Sequence, residues 1–194
     1  MRYRKSRIQA GIPARFWECS FDNYNATTEK QRRALANTRG YVDSLGRDSL
    51  TLCGLPGTGK THLACAIANQ LLDAESTVIY ATVLELIRAI RDTWRRDSSE
   101  SEIDVVGKYQ KVKLLILDEV GVQFGTEGEK AQLFDVLDGR YREMRPTVIV
   151  SNLDAKALQE CLGPRIFDRL METGSRVILF DWESYRRTNP RAIA

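Results

Sequence analysis

A glycine-rich loop, "GLPGTGKT", runs from Gly54 to Thr61 and ends in a lysine and a hydroxyl residue. Its spacing fits G-x-x-x-x-G-K-[ST], with Gly54, Gly59, Lys60 and Thr61 at the fixed positions. Residues without a Cβ let successive backbone N–H groups curl around phosphate oxygens, and a helix beginning at the loop's end offers its positive N-terminus to the anion. The candidate phosphate cradle is therefore Pro56, Gly57, Thr58, Gly59, Lys60, Thr61 and His62. Lys60 suits the β- and γ-phosphates and the Thr61 hydroxyl suits Mg²⁺. A glycine-rich turn can match such a pattern by chance. Here an apolar run ("SLTLC") precedes the loop and a helix-compatible run ("THLACAIANQLL") follows, the context that a phosphate loop requires.

A second constellation is "LLILDE", an apolar run ending in Asp118 and Glu119. Parallel sheets bind ligands beyond the carboxyl ends of their strands, so both acids would face the phosphate loop. Asp118 suits a Mg²⁺ ion, and Glu119 suits a water to be oriented and deprotonated for in-line attack. The competing reading is an acidic pair that merely caps a strand. Third is "VIVSN", where the Asn152 amide can donate to a γ-phosphate or to the attacking water; a strand-ending Ser-Asn is also ordinary turn chemistry. Fourth is "LGPRIFDRL". Pro164 suits a helix start, and Arg165 and Arg169 then share a face. An arginine offered to a neighbour's γ-phosphate implies assembly, whereas a surface arginine paired with Asp168 or another acid implies nothing of the kind.

These residues need a scaffold, and the pattern supplies one. After a polar lead-in (1–28), "EKQRRALANTRGYVDSL" reads as a helix ending near Gly46, "SLTLC" as a strand and "KTHLACAIANQLLDA" as a helix. "TVIYAT" is a second strand, "VLELIRAIRDTWRR" an amphipathic helix, and "RRDSSESEID" a polar loop. "KLLILDE" is a third strand, apolar throughout and so buried on both faces. The helix "EKAQLFDVLDGRYREM", the strand "TVIVSN", two short helices ("AKALQECL", "PRIFDRLM") and a last strand, "SRVILF", complete the order. Alternating strands and helices predict a parallel sheet between helical layers.

The whole chain sets bounds on these readings. Its 194 residues suffice for one domain with a real core. With 43% hydrophobic and 28% charged residues it reads as globular, and no apolar run approaches the roughly 18 residues that span a membrane. The basic N-terminus lacks the apolar stretch of a secretory signal. Cys19, Cys53, Cys65 and Cys161 show no C-x-x-C spacing and read as free thiols in a reducing cytoplasm. One histidine, His62, leaves no set for a His-based metal site or triad. Net charge is only +3, but Arg2, Arg4, Lys5 and Arg7 crowd the start, and Arg88, Arg91, Arg95 and Arg96 share one segment. Such clusters are either solvated faces or polyanion sites.

The phosphate loop, "LLILDE", "VIVSN" and "GPRIFDRL" occur in the order of an AAA+ ATPase. With the flanking strings "CSFDNY", "LDEVGVQ" and "LFDWESYR", the chain resembles the bacterial DnaC helicase-loader family, whose close relatives are the IstB transposition ATPases. The likeness runs from about Cys19 to Arg186. It implies an α/β fold, a three-layer αβα sandwich on a five-stranded parallel sheet of order 5-1-4-3-2. It also implies ATP and Mg²⁺ as ligands, with Lys60 and Thr61 in the phosphate-loop roles and Thr61 and Asp118 at the metal. Glu119 takes the water, Asn152 is the first sensor, and Arg169, ahead of Arg165, is the trans-acting finger. Phe21 and Tyr24 of "CSFDNY" become nucleotide contacts. The family's single-stranded DNA site falls on the helix after the second strand, here Arg88, Arg91, Trp94 and Arg95, with Trp94 either stacking on a base or packing under the following loop.

The same resemblance implies a DnaB-type replicative helicase as partner, assembly into a ring or spiral, no membrane, and a cytoplasmic protein. The domain division expected is a basic extension over 1–28, the ATPase domain over 29–187 and a tail over 188–194. Two departures stand out. Family loaders carry a helicase-binding domain ahead of the ATPase core, and this chain begins almost at the core. "GVQFGTEGEK" is glycine-rich where relatives place DNA-contacting side chains, Phe124 being its one aromatic. Nor does the sequence leave room for a helical lid after the fifth strand, which predicts loosely held nucleotide and slow hydrolysis by a monomer. The alternatives are a transposition accessory ATPase that coats duplex DNA, a small-molecule kinase on the same loop, and a non-hydrolysing nucleotide-binding module.

Overall fold

The computed structural model describes residues 2–121, 126–172 and 175–188. Five strands, β1 (Leu50–Gly54), β2 (Val78–Thr82), β3 (Leu114–Asp118), β4 (Thr147–Ser151) and β5 (Arg176–Phe180), form one sheet in the order β2-β3-β4-β1-β5. All pairings are parallel. Read from the other edge this is the expected 5-1-4-3-2. β1, β3 and β4 are buried along their whole length, as central strands covered on both faces must be.

Side chains alternate between two apolar layers. Leu50, Leu52, Leu114, Ile116, Val148 and Val150 meet α2 (Glu29–Asp43) and α3 (Lys60–Asp73) on one face. Cys53, Leu115, Leu117 and Ile149 meet the other layer. That layer is α4 (Val83–Asp92), α5 (Glu102–Lys111), α6 (Glu127–Arg142), α7 (Ala155–Leu162) and α8 (Pro164–Met171). The result is the αβα sandwich.

Local chemistry starts these helices where the chain leaves a strand. Thr28, Thr82 and Thr126 close capping boxes with Gln31, Glu85 and Glu129, and Asp154 caps α7. Arg140, fully buried on α6, has no carboxylate partner among the described residues. It donates to the carbonyls of Tyr109, Gln110 and Val112 at 2.7, 3.1 and 2.9 Å and to the Thr147 hydroxyl at 2.9 Å. One guanidinium thus ties the end of α5 to the starts of β3 and β4, the strands whose far ends carry the acids and Asn152 respectively.

Two elements depart from the expected pattern. The expected polar loop "RRDSSESEID" gives way at Glu102 to a helix, α5: Ser101 caps the Asp104 N–H, and Val105, Val106 and Tyr109 turn inward. The polar lead-in holds α1 (Arg2–Gln9) and a 3₁₀ turn, and Ala10, Ile12, Cys19 and Phe21 belong to the core. Of the basic cluster at the start, Arg7 is buried and grips Asp73 at 3.0 and 3.1 Å, so it is a packing residue and not a solvated one. Phe124 lies outside the described residues. Among the described residues no helix is long and apolar enough to cross a membrane.

Candidate nucleotide site

β1 ends at Gly54, and the loop Leu55–Gly59 leads into α3 at Lys60. Three glycines take the turn with left-handed backbones, Gly54, Gly57 and Gly59 at φ of 118°, 75° and 99°. At Gly57 a Cβ would strike the Ser184 hydroxyl, and at Gly59 the Tyr24 ring, so both positions demand glycine on steric grounds as well. The Lys60 ammonium lies over this curl, donating to the carbonyls of Gly54 and Leu55 at 2.8 and 2.6 Å. Burial lowers its pKa to about 8, against a smaller upward pull from Asp118. Pro56 is exposed, Gly57 and Gly59 are half-buried, and Thr58 is buried with its hydroxyl on Leu55 O at 2.7 Å.

The first turn of α3 meets the end of β3. Thr61 Oγ1 donates to Asp118 Oδ2 at 2.9 Å, which brings together the two candidate metal-holding groups. Asp118 is 6% exposed, and its other oxygen accepts the Glu119 N–H at 2.7 Å. Sequence reasoning missed a third donor: Tyr80, on β2, donates to Asp118 Oδ2 at 2.6 Å. Burial, and then the Asp118 charge, hold this phenol protonated far above its ordinary pKa. Glu119 is exposed and sits at φ 59°, a left-handed backbone that a non-glycine residue adopts at a cost of about 1–3 kcal/mol. Asn152 is exposed just past β4, the strand between β3 and β1. Its loop is tied to the phosphate loop by Gly54 N–H on Leu153 O at 2.9 Å.

Two segments far apart in sequence clamp the loop. The Thr58 carbonyl accepts from Tyr24 Oη at 3.2 Å and from Trp182 Nε1 at 3.1 Å, and Tyr185 N–H donates to Gly57 O at 2.9 Å. Trp182 and Ser184 were not among the candidates; only the string "DWESYR" pointed to them. His62 packs against the segment that precedes α2. Its Nε2 lies 3.0 Å from Ser20 O and its Nδ1 3.5 Å from Cys19 Sγ, and its ring meets Tyr24 edge-on. Burial lowers its pKa and raises the Cys19 thiol to about 11, so a neutral ring donates from Nε2 and accepts the thiol at Nδ1. Phe21 is buried in the core with the Arg39 guanidinium over its ring, so its packing anchors this segment.

The remaining candidates are dispersed. Arg169 is half-buried, ion-paired to Asp138 of α6 and placed over the Phe134 and Tyr141 rings. Arg165 is exposed over the Phe134 ring, and no ion pair holds it among the described residues. Near α4, Arg91 pairs with Glu129 and Arg95 with Asp97, while Arg88 is exposed. Trp94 is 62% exposed, with Nε1 donating to Glu102 at 2.6 Å; packing under the polar loop does not occur.

Comparison with known proteins agrees with this geometry. The model of the family described as IstB-like ATP binding protein matches residues 6–192. The chain is 36% identical over 188 residues to the replicative helicase loader DnaC of Escherichia coli strain K12, covering 96% of this chain and 76% of that one. In fold it is similar to a crystal structure of the DnaC helicase loader (TM-score 0.77, 21% identity, covering 87% of this chain and 100% of that one). It is also similar to the replication initiator DnaA bound to AMPPCP and single-stranded DNA (TM-score 0.74, 19% identity, 90% of this chain), of which it spans 55%. The chain belongs to the IstB-like ATP-binding family that includes the DnaC helicase loaders, on an AAA+ fold.

Proposed function

We propose that this chain is a helicase loader of the cytoplasm that binds and hydrolyses ATP, engages single-stranded DNA and assists a DnaB-type replicative helicase onto it. The observation that carries the ATPase reading is the contact of Thr61 with Asp118 beneath the phosphate loop. The loader reading rests on the identity with DnaC over nearly the whole chain.

The hydroxyl and carboxylate are hard oxygen donors on rigid elements, a set that fits Mg²⁺ with the rest of its shell from phosphates and water. The ion would supply charge neutralisation at the β- and γ-phosphates. Lys60 and the loop amides bind the phosphates. Glu119 orients a water and takes its proton at the side-chain carboxylate, and Asn152 holds the γ-phosphate or that water. Arg165 or Arg169 reaches a neighbour's site on assembly. Arg88, Arg91 and Arg95 meet DNA phosphates, and Trp94 stacks on a base.

The test is loading of a replicative helicase onto closed single-stranded circles, which must require this chain and ATP. The match to the IstB-like family, together with the sequence resemblance to the IstB transposition ATPases, supports a second reading, an accessory ATPase of transposition. Failure to load helicase, together with ATP-dependent delivery of a transposase to duplex DNA, would select it.

A further inference from the structure

Tyr80 has two attachments that no part of the ATPase chemistry explains. Its phenol donates to Asp118 Oδ2 at 2.6 Å, and its backbone N–H donates to Ala10 O at 2.7 Å. β2 is the edge strand, and Tyr80 stands two residues before Thr82, the register partner of Asp118. Both side chains therefore fall on one face, and the phenol reaches diagonally across to β3. Three donors then fix the carboxylate plane: Thr61 and Tyr80 on Oδ2, and Glu119 N–H on Oδ1. Thr61 and Glu119 already belong to the nucleotide site. Tyr80 is the donor left over.

The backbone attachment leads elsewhere. Ala10 approaches β2 closely because Gly11 follows it at φ 78°; a Cβ there would meet Tyr80 O at 2.4 Å. From this point residues 7–24 lie along α3 as a strap. Arg7 grips Asp73 in the last turn, Asn69 Nδ2 donates to the carbonyls of Phe16 and Cys19, and His62 holds Ser20 O near the first turn. The strap ends with Tyr24 on the Thr58 carbonyl of the phosphate loop. The strap thus reaches Asp118 through Tyr80 at Ala10 and touches the phosphate loop directly at Tyr24.

We propose that Tyr80 is a positioning residue for Asp118 and that it joins this carboxylate to the N-terminal strap, so that Mg²⁺–nucleotide binding and strap docking are coupled. The proposal rests on the nucleotide-site reading above. Coupling is reciprocal, so whatever loosens residues 7–24 weakens the Mg²⁺-dependent part of binding, and Mg²⁺–nucleotide tightens the strap.

The test is calorimetry of ADP binding with Mg²⁺ and with EDTA, on the whole chain and on Tyr80→Phe, which keeps the ring and removes one donor. The variant should bind ADP in EDTA as the parent does. Its gain in affinity on adding Mg²⁺ should be smaller by roughly three- to tenfold, the worth of one hydrogen bond. An undiminished gain, or an equal loss with and without Mg²⁺, would overturn the positioning role while leaving the nucleotide site intact. A parent chain that binds no nucleotide at all would overturn both. Hydrogen exchange gives the second readout. Mg²⁺–ADP should slow exchange around residues 9–12 in the parent and not in Tyr80→Phe; equal slowing in both, or none in the parent, would contradict the coupling.

Discussion

Asp118 and Glu119 are adjacent in sequence and opposite in circumstance. Asp118 is buried under three donors and so is fixed in plane, while Glu119 projects from a left-handed backbone into solvent. That contrast suits one acid to holding and the other to accepting a proton. We predict that Glu119→Gln binds ATP with the parent's affinity and loses hydrolysis by at least about a hundredfold, the usual worth of a general base. Steady-state turnover beside calorimetry checks this, and undiminished turnover would move the base elsewhere. The types and spacings of Lys60, Thr61 and Asp118 were legible because backbone curl, hydroxyl and carboxylate must recur in that order. Tyr80 was not, since a tyrosine in an apolar strand reads as core until the strand order shows what lies beside it. Phe21 was legible as part of a string, but only packing shows that it faces inward.

Among elements, α8 carries the sharpest discrimination. Arg165 and Arg169 are equivalent by spacing, yet Arg169 is held by Asp138 of its own chain and Arg165 is free of any ion pair found among the described residues. We predict that Arg169→Ala lowers unfolding free energy by about 1–3 kcal/mol, since it leaves a mostly buried carboxylate served only by the exposed Arg142. Arg165→Ala should change stability by less than about 0.5 kcal/mol. Urea titration of both variants reads the difference. Hydrolysis that rises with protein concentration then shows which arginine serves a neighbour: its loss in Arg165→Ala alone assigns the finger to Arg165. The central strands and the helices after them were legible from run length and apolar pattern. α5 was hidden by its acidic start, although Ser101 and Asp104 are a cap and Val105, Val106 and Tyr109 an inward face. α1 has almost no apolar side, and only tertiary contacts such as Arg7 with Asp73 hold it.

At the scale of the molecule, the proposed nucleotide and DNA faces lie on different elements, one beyond the carboxyl ends of β1, β3 and β4 and the other around the end of α4. The exposed pair of Arg95 with Asp97 is worth little in water, so Arg95 is the cation most readily given up to a DNA phosphate, whereas Arg91 is held by the largely buried Glu129. Because Trp94 is exposed, Trp94→Ala should leave the melting temperature nearly unchanged and weaken single-stranded DNA binding by about 1–3 kcal/mol. Unaltered DNA affinity would remove this face from the account. A loader that uses ATP must let nucleotide bound by the phosphate loop govern its grip on DNA. Anisotropy of a labelled single-stranded oligonucleotide, titrated at fixed salt with Mg²⁺–ATP, with Mg²⁺–ADP and with Lys60→Ala, tests it most directly. The account predicts tight binding with ATP, weaker binding with ADP, and no nucleotide effect in Lys60→Ala; DNA affinity indifferent to nucleotide and to Lys60 would contradict it.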